Sequence, residues 1–114
     1  MTNEANAPEA MIRADSDAIT LINVFTVDPS DQQQLIELWQ QATEEVMRHQ
    51  AGFISASVHR SLDGTKVVNY AQWESSEALG AMFENPEASA RMAKLAELGT
   101  PSPVICEVVS VHRP

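Results

Sequence analysis

Residues 53–73, FISASVHRSLDGTKVVNYAQW, contain the pattern that decides the fold. Two runs rich in β-branched and aromatic residues flank Asp63-Gly64, a dipeptide typical of the two-residue turn of a β-hairpin. The turn predicts antiparallel strands over residues 53–60 and 66–73, and its length fixes their register. The predicted cross-strand pairs are Val58 with Asn69, Ala56 with Ala71, and Ile54 with Trp73.

The sequence before the hairpin predicts a strand followed by a helix. Residues 18–27, AITLINVFTV, are rich in residues that favour strands. Asp28 can accept a hydrogen bond as a helix N-cap, and Pro29 suits the first helical position. We therefore expect a helix from this point to about His49, shortly before Gly52.

The sequence after the hairpin predicts a second helix and a last strand. Ser75 can cap this helix, Asn85-Pro86 interrupts and restarts it, and Leu98-Gly99 ends it. Residues 103–112, PVICEVVSVH, predict the final strand. The resulting order is strand, helix, strand, strand, helix, strand, which is the ferredoxin-like α+β pattern. We expect a four-stranded antiparallel sheet with its helices on one face and the first and third strands at the centre.

Length, charge and hydropathy limit the class of protein. The 114 residues suit one domain, and we expect a flexible N-terminal tail over residues 1–17 and a single domain over 18–114. The net charge of −9 argues against nucleic-acid partners and anionic membrane surfaces. The sequence has neither a membrane-spanning apolar run nor a secretory signal, so we expect a cytoplasmic protein.

Side-chain alternation places one asparagine in the apolar face of each predicted central strand. On the third strand this face carries Asn69 together with Trp73, and on the first strand it carries Asn23. A buried amide without partners costs about 1–3 kcal/mol. Either the amides form a hydrogen-bonded polar pair in a filled core, or they face a pocket between sheet and helices. The spacing alone favours the polar pair.

Three segments resemble the antibiotic biosynthesis monooxygenase superfamily. They are ITLINVFTV (19–27), AGFISASVHRS (51–61) and VVNYAQWES (67–75), and the resemblance extends over residues 18–112. The closest likeness is to the small anthrone oxygenases of aromatic polyketide pathways. It implies homodimers of ferredoxin-like subunits joined through their sheets into a barrel-like core, with a pocket inside each subunit. It also implies oxidation of a polycyclic anthrone to a quinone with O2, without metal, flavin or haem cofactor.

The resemblance also assigns site residues. It implies that Asn23, Asn69 and Trp73 are catalytic, since their neutral N–H groups can stabilise a developing substrate anion. The residues that we expect to bind substrate are Phe25, Ala71, Leu79, Met82, Phe83 and Met92. Leu79 and Met92 stand where some family oxygenases carry a tyrosine and an arginine. Trp39, on the apolar side of the first helix, is expected to be ordinary core.

Three alternatives share the fold. A haem-degrading enzyme of the superfamily needs a histidine from the second helix, and residues 75–99 contain none. A quinol monooxygenase keeps the cofactor-free chemistry with a smaller ring, and a dimeric binding protein has no chemistry at all. The three histidines, His49, His59 and His112, match no metal motif, so no metal site is predicted. His59 is a candidate for the dimer interface.

Overall fold

A four-stranded antiparallel sheet forms one layer of the molecule. The structure is a computed structural model that describes residues 7–114. The strands run in the order β2-β3-β1-β4, so the predicted ferredoxin-like topology, with the first and third strands at the centre, is confirmed. Their bounds are β1 (Ile19–Val27), β2 (Phe53–Arg60), β3 (Lys66–Trp73) and β4 (Gly99–Cys106).

Three α-helices pack on one face of this sheet, and the predicted caps begin them. The helices are α1 (Gln32–Glu45), α2 (Ser76–Glu84) and α3 (Pro86–Leu98), with short 3-10 turns at Pro29–Asp31 and Met47–His49 on either side of α1. Asp28 caps the first turn through the Ser30 N–H. Ser75 accepts from the Ala78 N–H at 3.1 Å. Asn85 ends α2 and caps α3, whose first turn begins with Pro86.

The hairpin has the predicted register near its turn and departs from it at the far end. Asn69 faces Val58, as predicted. An irregularity between Phe53 and Ser55 places Phe53, not Ile54, opposite Trp73, so that predicted pair is wrong. The bulge leaves Ile54 47% exposed. The Phe53 ring instead meets the Trp73 ring edge-on, with centroids 5.4 Å apart.

Strand β4 begins and ends earlier than the predicted residues 103–112. It starts at Gly99, passes through two prolines, and ends at Cys106, which pairs with Thr20. The prolines are tolerated because β4 is an edge strand and bonds only to β1. Beyond Cys106 the chain has passed the paired residues of β1, so residues 107–114 form no strand.

The segment before β1 contains neither helix nor strand between residues 7 and 17. It touches the outer face of the sheet where the Gln72 side-chain amide donates to the Met11 carbonyl at 2.9 Å. The same Gln72 accepts a hydrogen bond from the Ser55 hydroxyl at 2.9 Å. Residues 1–6 of the predicted tail lie outside the described residues.

The inner face of the sheet supplies most of the core, as the alternation predicts. From β1 and β3 the buried inner residues are Leu21, Asn23, Phe25, Val27, Val67, Asn69, Ala71 and Trp73. One apolar cluster joins this face to α2, to Ala88 of α3 and to Val46 and Met47 just beyond α1. The other joins it to α1 and α3. Met92 of α3 packs against both clusters. The candidate site lies between the sheet and these helices.

Candidate active site

A narrow cavity lies between the inner face of the sheet and all three helices. It offers about 20 Å³ to the centre of a water molecule, which is room for about one water. Its walls are formed by Leu21, Trp39, Thr43, Met47, Phe53, Ala56, Asn69, Ala71, Trp73, Met82 and Met92. Ala56 and Ala71, which are cross-strand partners, leave this space because neither side chain reaches the helices. These small residues thus leave a real void above the sheet.

Four buried polar side-chain atoms in this region have no hydrogen-bond partner within the part of the chain that the structure describes. They are the Oδ1 atoms of Asn23 and Asn69 and the Nε1 atoms of Trp39 and Trp73. Asn23 and Asn69 are direct cross-strand neighbours, yet neither amide oxygen accepts a bond, so the two amides are not bonded to each other. The alternative favoured by the spacing, a hydrogen bond between the Asn23 and Asn69 amides in a filled core, is therefore wrong. Each unpartnered atom costs about 1–3 kcal/mol, which a purely structural core would avoid.

The structure brings five of the nine predicted site residues to the cavity wall. They are Asn69, Ala71, Trp73, Met82 and Met92. The three from β3 occupy successive inner positions of one strand, which explains their proximity. The two methionines come from α2 and α3 and form part of the helix side of the wall.

The other four predicted residues lie away from the wall. Asn23 is one strand further along the sheet, beside Asn69. Phe25 packs edge-on against Trp39, with centroids 5.7 Å apart. Leu79 is buried in the cluster that contains Met82, and Phe83 follows Met82 onto the exposed side of α2. Their contact with a substrate stays a prediction, because it requires the cavity to enlarge toward them.

Several wall residues were not predicted, and Trp39 is the most important. Expected to be ordinary core, it lines the cavity with an unpartnered indole nitrogen. The sequence contained a signal for this role: a tryptophan on the apolar face of a helix is buried, and its N–H then normally needs a partner. Thr43 lines the cavity one turn later, but its hydroxyl already donates to the Trp39 carbonyl at 2.8 Å. Phe53 reaches the wall only because of the bulge in β2.

The cavity wall is electrically neutral. Its described residues include no acidic side chain, histidine, lysine or arginine. Arg91, adjacent to Met92, forms an ion pair with Glu45 of α1 at 2.9 Å. The large pKa shift lies elsewhere, at the hairpin turn, where hydrogen bonds from the Thr65 backbone and from the Thr65 and Ser61 hydroxyls lower the pKa of Asp63 to about 2.

Neither a metal centre nor a membrane span is found in the described part of the chain. Between residues 7 and 114, no three His, Cys, Asp or Glu side chains are grouped so that they could hold a metal ion. Within the same range, no helix is long and apolar enough to cross a membrane. Both observations concern these residues alone.

Comparisons with known proteins identify relatives along most of the chain. The sequence profile described as antibiotic biosynthesis monooxygenase matches residues 18–94. A curated relative, tetracenomycin-F1 monooxygenase of Streptomyces glaucescens, is 41% identical over 99 residues, which cover 87% of this chain and 88% of the relative.

Solved structures have the same architecture. A monooxygenase from the gene ActVA-Orf6 of Streptomyces coelicolor, in complex with the ligand nanaomycin D, is 36% identical with a TM-score of 0.77. That match covers 85% of this chain and 92% of the other. SnoaB, a cofactor-independent oxygenase from Streptomyces nogalater, matches with a TM-score of 0.74 over 84% of this chain and 97% of its own. At 20% identity, this second likeness concerns the fold alone.

Proposed function

Because this chain belongs to the antibiotic biosynthesis monooxygenase family and is a monooxygenase, we propose that it oxidises an anthrone-type polycyclic phenol to a quinone with O2. The proposed reaction uses no metal, flavin or haem and serves aromatic polyketide antibiotic biosynthesis or a related pathway. Support comes from the 41% identical relative, which is named for tetracenomycin F1, and from the 36% identical one with nanaomycin D bound. The proposal includes the cytoplasmic location expected from the sequence.

The observation that carries the proposal is the set of unpartnered polar atoms at the cavity. Asn69 and Trp73 are at most 4% exposed, both line the cavity, and each has a polar atom without a partner. An amide can present either its oxygen or its N–H2 group after a half-turn about its last side-chain bond. The site therefore offers neutral hydrogen-bonding groups to a flat ligand, within an otherwise apolar wall.

The proposed chemistry balances without a cofactor. The substrate loses a proton from its reactive CH2 carbon and becomes an electron-rich anion, which transfers one electron to O2. The substrate radical and superoxide combine into a peroxide at that carbon, and the peroxide takes up a proton. Loss of the second hydrogen and cleavage of the O–O bond leave a carbonyl on the ring and release water. One oxygen atom thus enters the product and the other becomes water.

The residues of the site would act on the charge that develops during these steps. N–H groups from Asn69 and Trp73 would stabilise the substrate anion in a cavity of low dielectric constant, where such bonds are strong. Among residues 7–114, no ionisable side chain lines the cavity to act as a base. The acidity of the substrate itself therefore controls proton loss, and the protein contributes orientation and anion stabilisation.

Substrate entry requires the cavity to enlarge, because a fused-ring ligand needs a pocket of about 300 Å³ or more. Met82 and Met92 in the cavity wall allow this enlargement, since unbranched thioether side chains adapt readily to different shapes. Met82 and Met92 also line a surface groove with Phe83, Ser89 and Ala93. The two methionines thus stand between this groove and the cavity, and we place the entrance there. In that arrangement Phe83 would contact a substrate during entry.

The proposal also includes a homodimer formed through the outer face of the sheet. Ile22, Val24, Val68 and Tyr70 alternate with the buried residues of the central strands and are half-buried in the single chain. Val104, which pairs with Ile22, is 52% exposed. A second subunit would cover this apolar face, and His59 on β2 would lie in the contact region.

Oxygen uptake tests the proposal. The purified protein, treated with a chelator and free of flavin and haem, should consume O2 with an anthrone and form the corresponding quinone. Asn69→Ala and Trp73→Phe should each lower kcat/KM at least ten-fold, equivalent to about 1.4 kcal/mol, while the dimer still forms. Parental rates in both variants would contradict the roles assigned here.

Oxygen uptake with a wider panel of substrates, together with hemin binding, separates the alternative functions. Oxidation of simple quinols in preference to anthrones would indicate a quinol monooxygenase. A haem absorbance band after addition of hemin, with turnover to bile pigment, would indicate haem degradation. Ligand binding without oxygen uptake across the whole panel would indicate a binding protein.

A further inference from the structure

Trp39 has the properties of a ligand-binding residue on the helix side of the cavity. Its side chain is 2% exposed, it lines the cavity from α1, and its Nε1 atom has no hydrogen-bond partner. Asn69 and Trp73 line the opposite wall from β3. We propose that the Trp39 N–H donates a hydrogen bond to an oxygen atom of the bound substrate and thereby selects substrates with acceptor oxygens on two edges. This inference rests on the function proposed above.

The packing around Trp39 fixes its indole ring. Phe25 meets the ring edge-on at 5.7 Å with an interplanar angle of 87°. One turn along α1, the Thr43 hydroxyl bonds to the Trp39 carbonyl and anchors the backbone there. A ring held in this way can direct its N–H without losing much rotational freedom on binding.

A role in packing alone does not explain a tryptophan at this position. Phenylalanine or leucine would fill an apolar core without leaving a buried donor unpartnered, which is unfavourable. The same cavity already contains the unpartnered Trp73 Nε1 and Asn69 Oδ1 atoms. Donors on both walls match a flat ligand that carries oxygen substituents on opposite edges, such as a hydroxylated anthrone.

Nuclear magnetic resonance of the unmutated protein tests this directly. The chain has two tryptophans and therefore two indole N–H resonances, and Trp39→Phe assigns them by removing one. Titration with 1,8-dihydroxyanthraquinone should shift both resonances downfield, because both N–H groups gain an acceptor. A shift of the Trp73 resonance alone would overturn the role of Trp39 and leave the proposed function standing. Absence of any shift or binding would contradict both.

Kinetics of Trp39→Phe provide the second test. With 1,8-dihydroxyanthrone, kcat/KM should fall about ten-fold or more, the effect of one lost hydrogen bond to a partly charged oxygen. Leu35→Val is the matched control, since it removes a buried methylene from the same helix away from the cavity wall. The control should lower the melting temperature and keep the parental kcat/KM. A Trp39→Phe protein with parental kinetics and an intact fold would refute the inference.

Discussion

Asn69→Leu should make the protein more stable and less active at the same time. Leucine has the same branched arrangement of side-chain heavy atoms as asparagine but no polar group. In the parent protein the Asn69 amide oxygen is buried without a partner, and this destabilises the fold by about 1–3 kcal/mol. Leucine removes that oxygen, and the adjacent cavity accepts its larger methyl groups. Allowing for some overpacking, we expect a gain of about 1–2 kcal/mol.

The assay combines thermal unfolding with oxygen uptake. For a domain of 114 residues, the expected gain raises the melting temperature by roughly 4–8 °C. Turnover of an anthrone should fall at least ten-fold, because the amide no longer bonds to the substrate anion. Stability and activity therefore change in opposite directions, which a general disruption of the fold cannot produce.

Asn85→Leu is the matched control for this substitution. The Asn85 Oδ1 atom caps α3, accepting from the N–H groups of Glu87 and Ala88 at 3.0 Å. Its replacement should lower stability by about 1 kcal/mol and leave kcat/KM unchanged. If Asn69→Leu instead destabilises the protein as Asn85→Leu does, the Asn69 amide has a structural partner and the reasoning is refuted.

Three further predictions concern the cavity, the hairpin turn and the glycines. Ala71→Val should fill the narrow cavity and weaken anthraquinone binding at least ten-fold in a fluorescence titration, and unchanged affinity would show that ligands bind elsewhere. Asp63 has a folded pKa of about 2, below its ordinary value, so its stabilising contribution is present above about pH 4 and is lost as the pH falls toward 2. The melting temperatures of the parent and Asp63→Ala should therefore differ at pH 6 and converge near pH 2, and a constant difference would contradict this. Gly52→Ala should destabilise the protein by more than about 1 kcal/mol, because φ at this position is +83° and the new Cβ would lie 2.4 Å from the Ala78 Cβ. Gly80→Ala in α2 is the control, since its Cβ would meet nothing within 4 Å and should not destabilise the protein. Equal denaturant midpoints for the two variants would contradict the prediction.

Local signals in the sequence were sufficient to predict the order of elements. Asp28-Pro29 and Asn85-Pro86 each specify a cap by their own chemistry, and each is found where it was expected. At the hairpin only the register near the turn is as predicted. The predicted two-residue turn is wrong, because the β-turn spans Ser61–Gly64, where the Gly64 N–H donates to the Ser61 carbonyl at 3.2 Å and only the glycine has a positive φ, of +82°. The limits of β4 depend instead on which residues of β1 remain available for pairing, and this is a tertiary property. The bulge that makes Phe53 instead of Ile54 the cross-strand partner of Trp73 lies on an edge strand, far from the turn that sets the register.

The candidate site was predictable on the sheet and less so on the helices. Alternation along β3 places Asn69 and Trp73 on the inner face, because the period of a strand is fixed. Helical periodicity shows only that Trp39 faces inward. It cannot show whether the core beside it is filled or whether the indole N–H finds a partner. Those properties depend on the alanines and methionines that other elements bring to the same place.

A crystal structure of the protein with 1,8-dihydroxyanthraquinone tests the central claim most directly. The account predicts fused rings between β3 and α1, with ligand oxygens within about 3.2 Å of the Asn69 amide and the Trp73 Nε1 atom. The side chains of Met82 and Met92 should move to make room. Ligand bound only on the outer face of the sheet, with the interior as narrow as it is here, would contradict the account.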